Sequence, residues 1–154
     1  MSHTFTDAAG QPWSVVVTVD TMRRVRALAG VDLMQAIGGP LLERLAADPV
    51  LLVDVLAAVC KPQMDARTTT AEAFAQAMVG DAIDHAAQAL LQGLADFCPS
   101  PTRTLLKRLI DAGRASQDKA QEAATATVDR ILAQLASGDS LPNPPPSPAS
   151  TPPT

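Results

Sequence analysis

Aromatic side chains are nearly missing from this sequence: one Trp, three Phe and no Tyr make up 3% of 154 residues. Without large aromatic anchors, the apolar matter must come from Ala, Leu and Val. Ala and Leu favour helices that pack closely. Two cysteines, Cys60 and Cys98, do not make a disulfide scaffold. Each sits in an apolar run and reads as a small buried thiol in a reducing compartment. Basic residues are outnumbered 12 to 16, giving a net charge of -4. An acidic chain without a basic stripe is a poor match for phosphates, which argues against nucleic acid as partner. The clusters Arg23, Arg24, Arg26 and Arg103, Lys107, Arg108 read as solvated helix faces. No run of eighteen apolar residues occurs, so no membrane partner or span is expected. Residues 1–10, MSHTFTDAAG, lack a positive region followed by an apolar one. That predicts no signal peptide and a cytoplasmic location.

The residues of catalysis are equally scarce. There are two histidines: His3 near the terminus, and His85 on a helix beside Asp81 and Asp84. Zinc needs three or four converging ligands, and no such spacing of Cys and His exists. Asp81 and Asp84 are accounted for by the positive end of a helix dipole. No Gly-x-Ser-x-Gly elbow occurs. The glycine pair at Gly38 and Gly39 lacks the lysine and hydroxyl of a phosphate loop. Neither cysteine has a base beside it to make a thiolate. The expectation is no catalytic residue, no metal, no cofactor and no enzyme.

What remains is a pattern of helices. Residues 13–19, WSVVVTV, are β-branched and predict a strand. With HTFTD before it and a turn at Gly10, a hairpin over about residues 4–19 is expected. A lone hairpin is marginal in water. It must pack on helices, or pair its edge with another chain or a second copy, which leaves self-association open. Asp20 is the expected cap of the next helix and Gly30 its end. Asp32 introduces a short turn of helix, and Pro40 a third short helix. Asp48-Pro49 is a strong start signal for DPVLLVDVLAAVC, which Pro62 is expected to bend or break. Thr69 to Glu72 reads as a capping box before EAFAQAMV. Asp81 then starts an amphipathic helix through Ile83, Ala87, Leu90, Leu91, Leu94 and Phe97. A last helix runs from about Thr102 to Ala136, with the polar middle GRASQDKAQEAATAT and the apolar end VDRILAQL. The predicted fold is therefore mainly α: a small helical domain over residues 1–136 with a short N-terminal β-hairpin. Residues 137–154, SGDSLPNPPPSPASTPPT, are too poor in apolar side chains to form a core and read as a disordered tail.

The order of these pieces resembles a known family. FTDAAGQPWSVVVTVD, RRVRALAGVDL, DPVLLVDVLAAVCKPQ and EAFAQAMVGDAIDHAAQALLQGLADFCP follow one another over roughly residues 5–112. The markers are the Trp13 strand, Val31-Asp32-Leu33, Asp48-Pro49, the Phe74 helix, Gly80-Asp81 and Phe97-Cys98-Pro99. In this texture the chain resembles the tail assembly chaperone-like proteins of tailed bacteriophages and prophages. The resemblance implies a protein that binds the tape measure protein, keeps its apolar helices soluble, and leaves as the tail tube polymerises. It implies a place in the cytoplasm of a bacterial host. A small structural or adaptor protein of the phage particle is the alternative. Helix-in-groove binding needs apolar residues at helical spacing, and Met adapts to varied partners. Trp13, Met64, Phe74, Met78, Leu91 and Phe97 are the expected partner contacts.

Overall fold

The computed structural model describes residues 2–138. The elements follow in the order β1 (His3–Thr6), β2 (Pro12–Val15), α1 (Val19–Ala29), a 3₁₀ turn (Leu33–Ala36), α2 (Leu41–Ala47), α3 (Pro49–Ala66), α4 (Ala71–Gln76), α5 (Asp81–Phe97) and α6 (Ser100–Ala136). The fold is mainly helical with a two-stranded antiparallel N-terminal hairpin, as the sequence predicts. Contacts divide the chain into two compact units, Met1–Ala112 and Gly113–Thr154, so the boundary falls inside α6. The tail expected over residues 137–154 lies, from residue 139 onward, outside the described residues.

The hairpin pairs Phe5 with Trp13 and His3 with Val15. Side chains alternate across a strand, and Phe5, Trp13 and Val15 all turn into the core. β2 is shorter than the expected strand over residues 13–19 because local polar groups redirect the chain. The Val16 carbonyl accepts from Thr21 Oγ1 at 2.9 Å. Thr18 Oγ1 accepts from the Thr21 amide at 3.2 Å and caps α1. Asp20, the expected cap, sits instead in the first turn and pairs with Arg24.

The outer edge of β2 is closed by α3. The Ser14 amide donates to Gln63 Oε1 at 2.9 Å, and the Ser14 carbonyl accepts from Gln63 Nε2 at 2.6 Å. Arg67 donates to the Pro12 carbonyl at 2.7 Å. One glutamine side chain thus takes the place of a third strand, so this edge offers another chain nothing at Ser14.

α3 begins as expected, with Asp48 Oδ1 accepting from the amides of Val50 at 3.0 Å and Leu51 at 3.1 Å. It does not break at Pro62, which lies inside the helix. Proline removes the donor for the carbonyl four residues back. Here Arg24 of α1 reaches the Ala58 and Val59 carbonyls at 3.5 and 3.4 Å and serves that end of the turn. The expected capping box also shifts by one residue. The Thr69 amide is spent on the Met64 carbonyl, finishing α3. Thr70 Oγ1 caps α4, accepting from the Ala73 amide at 3.1 Å. α4 then ends at Gln76, short of the expected AMV.

The core gathers Phe5, Trp13, Val15, Val25, Leu33, Leu41, Val55, Leu56, Phe74, Leu90 and Leu94. α5 buries a side built largely of small residues: Ala82, Ala86, Ala89 and Gly93 beside Leu90 and Leu94. A Cβ at Gly93 would stand 3.1 Å from Val17 Cγ2 and 3.3 Å from Val15 Cγ1. Glycine there lets the hairpin lie close against the helix.

Candidate functional site

Four of the six expected contacts are interior. Trp13 and Phe74 are each 1% exposed, Met64 2% and Met78 4%. Trp13 and Phe74 meet edge to face, with centroids 5.0 Å apart. The Arg67 guanidinium stands 4.7 Å from the centroid of the Trp13 ring. These side chains hold the first unit together and present almost no surface in this conformation. Leu91 and Phe97, both on α5, are half-buried. The structure therefore does not assemble the six residues into one open surface.

The buried polar side chains of the first unit are paired within it. Among the described residues no group of three His, Cys, Asp or Glu side chains is placed to hold a metal ion. No buried side-chain nitrogen or oxygen there lacks a hydrogen-bond partner. Burial pushes the Cys60 thiol up to about 12, outweighing the nearby Arg67 charge. The same cause raises Cys98 against the opposing charge of Arg103. Both sulfurs are thus protonated and poor nucleophiles at neutral pH.

The one marked carboxylate is Asp96 at the end of α5. It meets His3 Nε2 of β1 at 2.7 Å and Lys107 Nζ of α6 at 3.0 Å. The hydrogen bond with His3, then that from Lys107, holds the Asp96 carboxyl below the usual carboxylate range. Arg103 adds a bond to the Asp96 carbonyl at 2.9 Å. The cluster ties three elements of the first unit together. A carboxylate whose folded pKa lies below its unfolded value stabilises the fold above the unfolded value. That stability is lost as pH falls through the folded one. Urea unfolding should therefore show Asp96→Asn less stable than the parent at pH 6. The gap should close as the pH is lowered below the ordinary aspartate value of about 4. An equal gap at every pH would show that the carboxylate charge contributes nothing.

Exposed apolar side chains stand at scattered positions of the first unit, such as Val19, Val50, Leu105 and Leu109, and four more follow one another on the second unit. Its described residues, 113–138, are exposed throughout. Val128 is 53% exposed, Ile131 50%, Leu132 56% and Leu135 74%. Their offsets of three, four and seven residues place them on one side of α6. Extended back by the same period, the stripe runs through Ala124, Ala120 and Gln117. It meets no charged residue from 117 to 135, because Asp118, Lys119, Glu122, Asp129 and Arg130 all fall off it. Thr125 and Thr127 spend their hydroxyls on the Gln121 and Ala123 carbonyls at 2.9 Å. A helix face that is apolar from Val128 to Leu135 and uncharged back to Gln117, open to water, is the feature of the described residues most suited to recognition. The signal for it was in the sequence as VDRILAQL, where apolar spacing alone does not reveal that the side chains stay uncovered. No protein-family model, curated protein or solved structure matches this chain.

Proposed function

We propose that this chain is a binding protein without catalytic chemistry, which receives an apolar helix of a partner protein and keeps it soluble. The observation that carries the reading is the stripe Val128, Ile131, Leu132 and Leu135, each at least half exposed on one side of α6. Such a face recognises another amphipathic helix through anchors at positions i, i+3, i+4 and i+7. The partner proposed, following the sequence resemblance, is the tape measure protein of a tailed phage or prophage. The place of action proposed is the bacterial cytoplasm. Among the described residues no helix is long and apolar enough to cross a membrane.

Co-expression tests the proposal. The tape measure protein should be insoluble or degraded alone, soluble beside this chain, and recovered with it on purification. Ile131→Asp and Leu135→Asp should abolish that recovery while leaving the first unit folded. Equal solubility with and without this chain would overturn the chaperone reading in favour of a structural or adaptor role in the particle.

A further inference from the structure

We infer that the base of α6, residues 100–112, is a strap that lifts from α5 while the core stays folded, and so uncovers an apolar face at the end of α5. The inference concerns the first unit alone and does not depend on the identity of a partner.

α5 has a second buried side. Its core side runs through Ala86, Leu90 and Gly93. At about 100° per residue, Leu91 and Ala95 point about 150° away from that side. Ala95 is nonetheless 0% exposed and Leu91 half-buried, and neither belongs to the core or to the residues packed against it. Cys98, the extended residue that ends α5, is 1% exposed and also stands outside the core. So does Leu106, the one buried residue of α6. The other elements packed on α5 are β1, α3 and β2. They meet it from the core side, as Val15 and Val17 do at Gly93. The cover over Ala95 and Cys98 is therefore the base of α6, and the two helices share a small satellite of the core.

The strap is held lightly. Leu106 is its apolar anchor. Lys107 Nζ stands 3.0 Å from Asp96 Oδ1, with about half of the lysine side chain in water. Arg103 donates to the Asp96 and Cys98 carbonyls at 2.9 and 3.3 Å. These partners all sit at the last turn of α5, so breaking the bonds disturbs no other element. His3 stays 2.7 Å from Asp96 and keeps that carboxylate in place when Lys107 leaves. Cys98 is the single extended residue between α5 and the turn into α6, and serves as the pivot. An opening that exposes few buried side chains is far more frequent than global unfolding.

The two native cysteines read the strap directly. Cys98 lies beneath it, while Cys60, 0% exposed, lies in the core. The full-length protein is labelled slowly with iodoacetamide, and each site is followed by peptide mass spectrometry. Rates are referred to those of the unfolded chain in urea. Cys98 should react at least a hundredfold faster than Cys60. In low urea its rate should rise with less than half the slope of the Cys60 rate, because less surface is exposed. Leu106→Ala should speed Cys98 at least tenfold and leave Cys60 unchanged within twofold. If Leu106→Ala loosens the core and speeds Cys60 too, the double variant Arg103→Ala, Lys107→Ala decides. It must speed Cys98 at least fivefold with Cys60 unchanged. Equal rates at both cysteines, rising together with urea, would show that only global unfolding reaches Cys98. A fast Cys98 that none of these substitutions moves would show that something else covers it. Either result overturns the inference.

Discussion

Trp13→Ala should cost about 3–5 kcal/mol of unfolding free energy, the range for deleting a fully buried large side chain. Three contacts are lost together. The ring leaves a void beside Phe74, whose edge-to-face partner at 5.0 Å disappears. Such aromatic pairs contribute about 0.5–1.5 kcal/mol beyond burial. The Arg67 guanidinium loses the face it covers. Asp7 loses the indole donor. Small domains are stable by only about 5–15 kcal/mol, so this single truncation brings the first unit near its limit. Trp13 is the sole tryptophan, so the variant has no indole fluorescence, and urea unfolding must be followed by circular dichroism. Trp13→Phe, which keeps a ring against Phe74, should recover about half of the loss. A cost below about 1 kcal/mol for Trp13→Ala would show that the hairpin is not part of the cooperative core.

That result would also decide how the expected partner contacts are read. From the sequence, Met64 and Met78 were expected as contacts because Met adapts to varied partners, Trp13 because a short hairpin leaves an open edge, and Phe74 beside them. Scarcity works against that in the structure. A chain with four aromatic rings places Trp13, Phe74 and Phe5 inside, where they stabilise most. Exposed aliphatics are scattered over the first unit, as at Val19, Leu28 and Val50, and gather on one side only at the end of α6. Two of the caps that act within three residues were legible, since Asp48 and Asp32 accept the expected amides, while those expected at Asp20 and Thr69 fall to Thr18 and Thr70. Features settled by distant residues were not. The persistence of α3 past Pro62 depends on Arg24, more than thirty residues earlier. The closed edge of β2 depends on Gln63, forty-nine residues away from Ser14. The early exit from β2 turns on a choice between neighbouring caps, Thr18 and Asp20, that only the Thr21 contacts decide. The close approach of Val15 and Val17 to α5 at Gly93 is likewise a matter of residues far apart in sequence. The stripe at residues 128–135 was legible as apolar periodicity but not as a surface, because periodicity does not say what covers it.

Asp7→Ala should cost about 2–4 kcal/mol, more than almost any other polar substitution in the chain. Asp7 is one of only two buried polar residues among those described, at 7% exposure. Its Oδ1 accepts from the amides of Ala9 and Gln11, each at 2.9 Å, and its Oδ2 from Trp13 Nε1 at 2.8 Å. Hydrogen bonds to a charged acceptor contribute about 1.5–3 kcal/mol each, but the three are not independent. Ala9 is exposed and Gln11 half-buried, so their amides can turn to water when the carboxylate is removed. The indole N–H cannot, because Trp13 is 1% exposed. Its unsatisfied burial is the main cost, at about 1–3 kcal/mol. The rest comes from the turn itself. Gly10 sits at φ +82° and donates to the Asp7 carbonyl, while Ala8 donates to the Ala77 carbonyl at 3.0 Å. Asp7 therefore fixes both the bend of the hairpin and its contact with the residues after α4. A double-mutant cycle separates the two contributions. Trp13→Phe removes the donor, so Asp7→Ala made in that background should cost about 1–3 kcal/mol less than in the parent. If the cost is the same in both backgrounds, the carboxylate acts only on the turn, and the buried bond to the indole does not matter to stability.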